Sequence, residues 1–398
     1  MIGISKLYCG TVEPGDVLRY RAAGEKAPAH LLQFDPEKKP VVVWNTTRRC
    51  NLRCVHCYSQ SEDRSYGGEM TTDEARIMMD DLADFGAPVL LFSGGEPMLR
   101  PDLYDLVAYA VGRGMRAVIS TNGTRIDAAA AARLRDAGLS YVGVSLDGLG
   151  EVNDQFRGVP GAFEKALAGI RRCMAEGVKV GLRFTITRRN AAEIDGIFDL
   201  VRDEGIPRVC LYHLVYAGRG TSLMSEDVTH AETRRVVDTI IDRTADLHAH
   251  HHKPEVLTVD NHADGPYLAM RMQRERHPLA EQAMELLRMN RGNQSGNGIG
   301  CISWDGAVYP DQFWRHTTLG NVRERPFSEI WTDTSNPLLA KLKDKRPHVT
   351  GRCATCRWLD VCGGNFRVRA EAATGDLWAP DPACYLTDEE IGRTPHDE

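Results

Sequence analysis

A helical stretch that ends in glycine and is followed by a short run of aliphatic residues recurs along residues 40–215. The glycines that end these stretches are Gly86, Gly114, Gly138, Gly177 and Gly205. Glycine readily adopts the left-handed conformation that ends many helices, and short aliphatic runs are typical of parallel strands buried on both faces. With the run at 40–47 in front, the pattern predicts six strand–helix units.

The first predicted helix supports this interpretation. Thr71 and Glu74 are spaced as a capping box, and Ala75, Met78 and Leu82 then fall on one helical face. Alternating strands and helices predict an α/β fold with a parallel sheet. Six units are fewer than a closed eight-unit barrel needs, so we expect an open, partial (β/α)6 barrel. Function should then lie at the carboxyl ends of its strands.

The pattern changes beyond the sixth unit. The following residues are charged with helical periodicity, and a Gly/Asn-rich loop and a second group of cysteines come after them. We therefore expect four parts. They are an N-terminal segment at 1–39, the partial barrel at 40–224, a helical connecting region at 225–299 and a cysteine-rich domain at 300–398.

Composition and charge narrow the function classes. The 398 residues are 42% hydrophobic and 26% charged, which is ordinary for a soluble globular protein. The net charge of −6 gives no general basic field, so we expect neither nucleic acid nor a membrane as partner. The chain has eleven cysteines and no export signal at its start, which favours a cytoplasmic location and metal or redox chemistry over disulfides.

Three of the cysteines lie within eight residues, shortly after the first predicted strand, as Cys50, Cys54 and Cys57 in CNLRCVHCYS. Thiolates bind zinc or iron–sulfur clusters. Structural zinc would need a fourth ligand, for which His56 is the nearest candidate. A cubane cluster on three cysteines instead leaves one iron open to a small molecule. The spacing favours the cluster and leaves zinc as an alternative.

This C-x3-C-x2-C string with the aromatic Tyr58 behind it resembles the signature of the radical S-adenosylmethionine (SAM) family. The resemblance implies that the open iron chelates the amino and carboxylate groups of SAM. SGGEP at the end of the second predicted strand resembles the family's motif for the SAM amino group, and small polar residues end the next strands. The SAM-binding residues expected on this basis are Tyr58, Gly94, Gly95, Glu96, Pro97, Ser120, Asn122, Ser145, Asp147 and, if it faces the barrel interior, Arg183.

The second group of cysteines resembles the SPASM/twitch-like extension of radical SAM enzymes with auxiliary clusters. Its expected ligands are Cys353, Cys356, Cys362 and Cys384. The two-cluster version of this extension needs further cysteines at places where Asp311 and Phe366 stand here. We therefore expect two [4Fe–4S] clusters in all, one for SAM and one auxiliary, with zinc as the alternative at the second site. The cysteines that we expect to bind no cluster are Cys9, Cys173, Cys210 and Cys301.

Strings such as YHLVYAGRG, TVDNHADGPYL and LGNVRERPFSEIW resemble the tetrapyrrole-modifying radical SAM proteins, most of all those of heme d1 biosynthesis. The resemblance implies that a 5′-deoxyadenosyl radical takes hydrogen from propionate side chains of didecarboxysiroheme, two of which are lost on the way to oxo groups. It also implies a reducing partner such as flavodoxin or ferredoxin. The alternatives are decarboxylation of iron-coproporphyrin III to heme, peptide modification and a zinc-stapled binding module without enzymatic activity.

Four residues are hypothesised to meet the tetrapyrrole. His213, His262 and Tyr267 could ligate its iron or contact the macrocycle, and Arg219 could pair with a carboxylate.

Overall fold

The computed structural model describes residues 1–12 and 39–393. Most of the N-terminal segment expected at 1–39 therefore lies outside the described residues. Its described start forms strand β1 (Ile2–Gly3) and helix α1 (Ile4–Cys9). Strand β1 pairs antiparallel with a strand near residue 258, so the start of the chain borders the main sheet.

All six predicted strand–helix units are present. Their strands are β2 (Val41–Thr47), β3 (Val89–Gly94), β4 (Arg116–Thr121), β5 (Tyr141–Ser145), β6 (Val180–Ile186) and β7 (Arg208–His213). The helices between and after them are α2 (Thr72–Phe85), α3 (Leu103–Gly112), α4 (Ala128–Asp136), α5 (Gly150–Arg157), α6 (Ala162–Ala175), α7 (Ile194–Asp203) and α8 (His230–Ala249). Helix α2 begins at the predicted Thr71–Glu74 capping box, and the five predicted helix-ending glycines all have positive φ.

The rest of the chain contributes shorter elements. They are β8 (Glu255–Val259), α9 (Asp264–Arg274), α10 (Ala280–Asn290), β9 (Ile299–Ile302), β10 (Ala307–Tyr309), β11 (Gly320–Asn321), α11 (Phe327–Thr332), α12 (Pro337–Lys343), α13 (Leu359–Cys362), α14 (Arg367–Thr374) and α15 (Asp388–Ile391). Among the described residues, no helix combines the length and the apolarity needed to cross a membrane.

The sheet runs in the order β1-β8-β7-β6-β5-β4-β3-β2-β9-β10-β11. The eight strands from β8 to β9 are parallel, while β1, β10 and β11 are antiparallel additions at the two edges. The α/β partial barrel is confirmed, but its curved wall has two more parallel strands than the six predicted. The two ends of the parallel wall, β8 with its partner β1 and β9 with its partner β10, are not paired with each other, and we call the gap between them the seam.

The expectation of a helical region at 225–299 is wrong at β8. The segment EVLTV is too short for a helix, follows Pro254 and is buried at all five positions. Proline disfavours a helix through that point, and buried β-branched residues suit a parallel strand. The eighth parallel strand, β9, comes from beyond this region and pairs with β2, placing Cys301 beside Val43.

Candidate active site

The three cysteines of the first motif lie at the carboxyl end of β2, in the loop that leads to α2. The end of α5 supports this loop, because the Arg53 and Val55 amides donate to the carbonyls of Arg157 and Phe156 at 3.1 and 3.0 Å. Cys50 is buried, and burial, then the Glu96 carboxylate and the neighbouring thiols, raise its pKa. None of the chain's cysteines forms a disulfide in the described part. The loop thus presents three free, adjacent thiols, which fits a three-cysteine cluster site.

A buried cation stands beside these thiols. The Arg157 guanidinium donates to Cys54 Sγ at 3.5 Å and forms an ion pair with Asp147, whose side chain is fully buried. Asp147 also accepts from the Thr185 amide at 2.6 Å. Its carboxylate, expected to bind SAM, is therefore engaged in holding Arg157 against the cysteine loop. The positive charge of Arg157 favours the thiolate form that binds iron.

The SGGEP motif is hydrogen-bonded to the backbone of the same loop. The amides of Gly95 and Glu96 donate to the carbonyls of Thr47 and Arg49, both at 2.8 Å. The Glu96 carboxylate is fully buried and accepts from Thr121 Oγ1 at 2.7 Å and from the Asn122 amide at 2.8 Å. Burial raises the pKa of Glu96. The motif thus connects the ends of β2, β3 and β4 beside the cysteines.

Gly95 lies where no other residue fits without displacing the cysteine loop. A Cβ at this position would come 2.2 Å from the Arg49 carbonyl oxygen, which is backbone and cannot rotate away. We expect Gly95→Ala to introduce about 1–3 kcal/mol of local strain. The displaced loop should bind less iron per chain, and the rate of SAM cleavage should fall about tenfold or more. Iron analysis and 5′-deoxyadenosine formation measure these effects.

Gly67→Ala is the matched control, since Gly67 lies in the β2–α2 connection that contains the cysteine loop and a Cβ added there would meet nothing within 4 Å. Wild-type iron content and SAM cleavage in Gly95→Ala would show that the loop tolerates the displacement, contrary to this expectation.

The ends of the next strands place polar side chains on the same rim. Asn122 Nδ2 donates to Asn51 Oδ1 at 3.0 Å and lies 3.8 Å from Cys50 Sγ. Ser120 Oγ accepts a hydrogen bond from Arg183 at 2.7 Å. Arg183 lines the barrel cavity and therefore faces the barrel interior, as its expected role requires. Ser145 pairs with Arg183 in the sheet register. These predicted residues therefore come together at one end of the barrel.

Tyr58 connects the first site to the C-terminal part of the chain. Its hydroxyl donates to Asn45 Oδ1 at 2.9 Å, and its ring packs edge-on against Phe313 at 5.3 Å. Asn45 Nδ2 also lies 3.5 Å from the thiol of Cys301, which is fully buried on β9. Sequence reasoning missed the parts played by Asn45 and Phe313, because both depend on long-range pairing and neither stands in a motif.

The residues proposed to meet the tetrapyrrole lie in different surroundings. His213 Nε2 lies 2.9 Å from Asp264, and the Tyr267 hydroxyl donates to Asp238, also at 2.9 Å. Arg219 donates to the carbonyls of Cys54 and Ser61 at 2.8 and 3.1 Å, so its guanidinium braces the cysteine loop. His262 alone of the four lines the barrel cavity; it is 5% exposed, and its Nδ1 has no partner among the described residues.

The four cysteines of the second motif gather around α13. The thiols of Cys353, Cys356 and Cys384 are near enough to Cys362 to raise its pKa, after burial as the larger cause. Arg352 donates to the carbonyls of Cys384 and Leu386. The two positions that lack the additional cysteines are engaged in other contacts. Asp311 accepts from Ser295 Oγ at 2.5 Å, and Phe366 packs against Phe313.

No three His, Cys, Asp or Glu side chains within residues 1–12 and 39–393 converge closely enough to hold a single metal ion. The two sets of thiols lie in different parts of the fold, one on the β2 loop and one among the C-terminal helices.

Comparison with known proteins agrees with this geometry. The family described as the radical SAM superfamily matches residues 44–215, and an iron–sulfur cluster-binding domain, SPASM, matches residues 296–357. The chain is 62% identical to an Fe-coproporphyrin III synthase of Methanosarcina barkeri over 98% of this chain and 99% of that protein. It is 46% identical to a pre-heme d1 synthase of Dinoroseobacter shibae over 89% and 88% of the two chains.

A solved structure shares the fold at lower identity. The Streptococcus suis protein SuiB, crystallised with S-adenosylmethionine, superposes with a TM-score of 0.69 at 18% identity, covering 87% of this chain and 78% of that one.

The radical SAM match implies a [4Fe–4S] cluster and SAM as cofactors, and the SPASM match implies further iron–sulfur binding in the C-terminal part of the chain, which replaces the zinc and non-enzyme alternatives. The chain belongs to the radical SAM superfamily, as an enzyme with a C-terminal SPASM domain.

Proposed function

We propose that this enzyme makes iron-coproporphyrin III from didecarboxysiroheme. The observation that carries the proposal is the 62% identity to an Fe-coproporphyrin III synthase along 98% of the chain. Identity falls to 46% for the pre-heme d1 synthase and to 34% for an AdoMet-dependent heme synthase of Methanosarcina barkeri. The order of the three identities favours a reaction of iron-coproporphyrin III over the heme d1 reaction. In the proposed reaction iron-coproporphyrin III is the product, whereas in the heme-forming alternative it is the substrate.

The proposed reaction removes the two acetate side chains that didecarboxysiroheme carries and coproporphyrin lacks. When bound, the reduced cluster and SAM supply a 5′-deoxyadenosyl radical that can take hydrogen from such a side chain. The protein holds the cofactors and excludes water. In this chain Arg157 and Arg219 fix the cysteine loop, Glu96 joins it to the neighbouring strands, and the C-terminal domain covers the seam.

The electron donor is proposed to be a small reducing carrier such as flavodoxin or ferredoxin. The heme d1 reaction stays as the second candidate because of the 46% identity over most of both chains. The His262 imidazole, neutral because burial lowers its pKa well below the usual range, is proposed to contact the tetrapyrrole from the cavity wall.

The test is an anaerobic incubation of reconstituted enzyme with SAM, a reductant and didecarboxysiroheme, with products separated and identified by mass spectrometry. Iron-coproporphyrin III is the expected product, accompanied by 5′-deoxyadenosine. Pre-heme d1 in its place would support the second candidate. A parallel incubation with iron-coproporphyrin III tests conversion to heme, and heme formation there would overturn the proposal. Turnover of neither compound, with SAM still cleaved, would point to a different substrate class, such as a peptide.

A further inference from the structure

The barrel encloses a cavity of about 300 Å³ that extends below the rim where the cysteines lie. One end of the cavity is lined by residues at the amino ends of the strands. Tyr141 and Arg208 are the first residues of β5 and β7, Glu255 is the first of β8, and Lys179 immediately precedes β6. We call these four residues the floor. At its other end the cavity reaches the seam, where Gln312 and Phe366 of the C-terminal domain line it.

The floor carries more positive charge than its carboxylate balances. Lys179 Nζ and the Arg208 guanidinium both face Glu255, at 3.3 and 3.5 Å from its two oxygens. Above them, Arg183 has no carboxylate partner among the described residues and donates to the Ser120 hydroxyl. At the floor an ammonium and a guanidinium thus share the single carboxylate of Glu255, which is costly unless a further anion joins them.

Three donors on side chains that line the cavity, two at the floor and one above it, have no acceptor among the described residues. The Tyr141 hydroxyl belongs to a side chain that is only 4% exposed, and it has no partner among the described residues. The Nε atoms of Arg183 and Arg208 likewise have none. Since buried polar groups are nearly always hydrogen-bonded, three such donors on one cavity point to a missing acceptor.

Two glycines provide the room for these groups. A Cβ on Gly143 would lie 2.4 Å from Arg183 Nε, and a Cβ on Gly181 would lie 2.1 Å from the Tyr141 hydroxyl. Both side chains therefore lie across neighbouring strands that have no side chain at the crossing point. Glycine at positions 143 and 181 thus leaves space inside the barrel for the Arg183 and Tyr141 side chains, which a larger residue at either position would occupy.

We propose that the floor binds a carboxylate of the tetrapyrrole, on a side chain other than the one that reacts. The inference rests on the proposed function, which leaves four propionates on the product. The carboxylate of SAM is the other possible source, but apart from Arg183, in the middle of β6, the SAM residues lie at or beyond the ends of their strands, whereas Tyr141 and Arg208 begin theirs. Four strand intervals separate Tyr141 from Ser145, which is about 13 Å. Because the floor and the seam residues Gln312 and Phe366 line the same cavity, the proposed route for such an arm runs through the seam, apart from the strand ends that carry most of the SAM residues.

The test is an absorbance titration of anaerobic, reconstituted protein with iron-coproporphyrin III and, separately, with its tetramethyl ester. We expect Arg208→Gln and Tyr141→Phe each to weaken binding of the free acid, Arg208→Gln about tenfold or more, because a charged hydrogen bond is lost. Binding of the ester should stay within about twofold of wild type. Arg171→Gln is the control, since Arg171 pairs with Glu204 on the surface.

SAM affinity and iron content are measured on the same samples. SAM affinity shows whether the floor binds the carboxylate of SAM instead of that of the tetrapyrrole, and iron content reveals damage to the fold. Both should match wild type. Unchanged affinity of the two variants for the free acid would overturn the inference, and so would a parallel loss of SAM binding or iron. If the wild type binds the acid with the expected dependence on the floor but forms no iron-coproporphyrin III, the proposed reaction fails while the carboxylate site stands.

Discussion

Cys54→Ala is expected to abolish cleavage of SAM while leaving the auxiliary cluster in place. Cys54 is one of three thiols on the β2 loop, and its sulfur accepts from Arg157 at 3.5 Å. A cubane on two remaining thiolates would lose its anchoring and its place beside the SAM residues. Iron should fall from about eight to about four atoms per chain, and 5′-deoxyadenosine should become undetectable in the presence of a reductant.

Two variants make this result specific. Cys173→Ala removes a thiol that is buried in α6 away from both cysteine groups, and it should keep full iron and SAM cleavage. Cys356→Ala should lose the other half of the iron and retain a signal in electron paramagnetic resonance that changes when SAM is added. Undiminished SAM cleavage in Cys54→Ala would mean that this loop does not hold the catalytic cluster.

The second large effect is expected from Arg369→Met. Arg369 and Asp381 form a fully buried ion pair at 2.8 Å, and Arg369 also donates to the carbonyls of Leu214 and Asp260 at 2.9 and 2.8 Å. The guanidinium thereby joins α14 of the C-terminal domain to the ends of β7 and β8. Removing it leaves a buried carboxylate without its cation, for which a loss of about 3–5 kcal/mol in the free energy of unfolding is expected.

Urea unfolding followed by circular dichroism measures this loss. The double variant Arg369→Met, Asp381→Leu should recover part of the lost free energy of unfolding, because the unpaired buried carboxylate of Asp381 is removed as well. Arg171→Gln, which breaks an exposed pair, should change the free energy of unfolding by less than about 1 kcal/mol. A comparably small change in Arg369→Met would show that water or a neighbouring group replaces the guanidinium.

The six repeated units were predictable because each carries its own local signals. Thr71 and Glu74 cap α2 as their spacing indicates, and Gly86 ends that helix at φ 86°. The strands β8 and β9 were missed for opposite reasons. β8 is a five-residue run in a charged, helical stretch, whereas β9 joins β2 across more than 250 residues of chain. Pairing at that distance depends on the completed barrel, which leaves no local trace in the sequence.

The candidate site likewise contains residues that the sequence predicts and residues that it does not. The cysteines and SGGEP were recognisable because their chemistry is contained in short strings. The use of Asp147 to hold Arg157, and of Arg219 to brace the Cys54 backbone, was not, since each contact joins segments that meet only at the rim of the barrel. The Tyr141 hydroxyl, which has no partner among the described residues, could not be recognised either, because a tyrosine at the start of a strand resembles ordinary core.

The origin of β9 has a consequence for how such enzymes can be recombined. The region matched as radical SAM ends at residue 215, yet the wall of the barrel continues through β8 and is completed by β9, which lies within the region matched as SPASM. A cut before Ile299 would remove β9, one of the two neighbours of β2, and leave a hydrophobic strand edge open to other chains. The SPASM region therefore cannot be removed as a whole without removing part of the barrel sheet. Chimeras that exchange the C-terminal domain should be joined after β11, where the shared sheet ends.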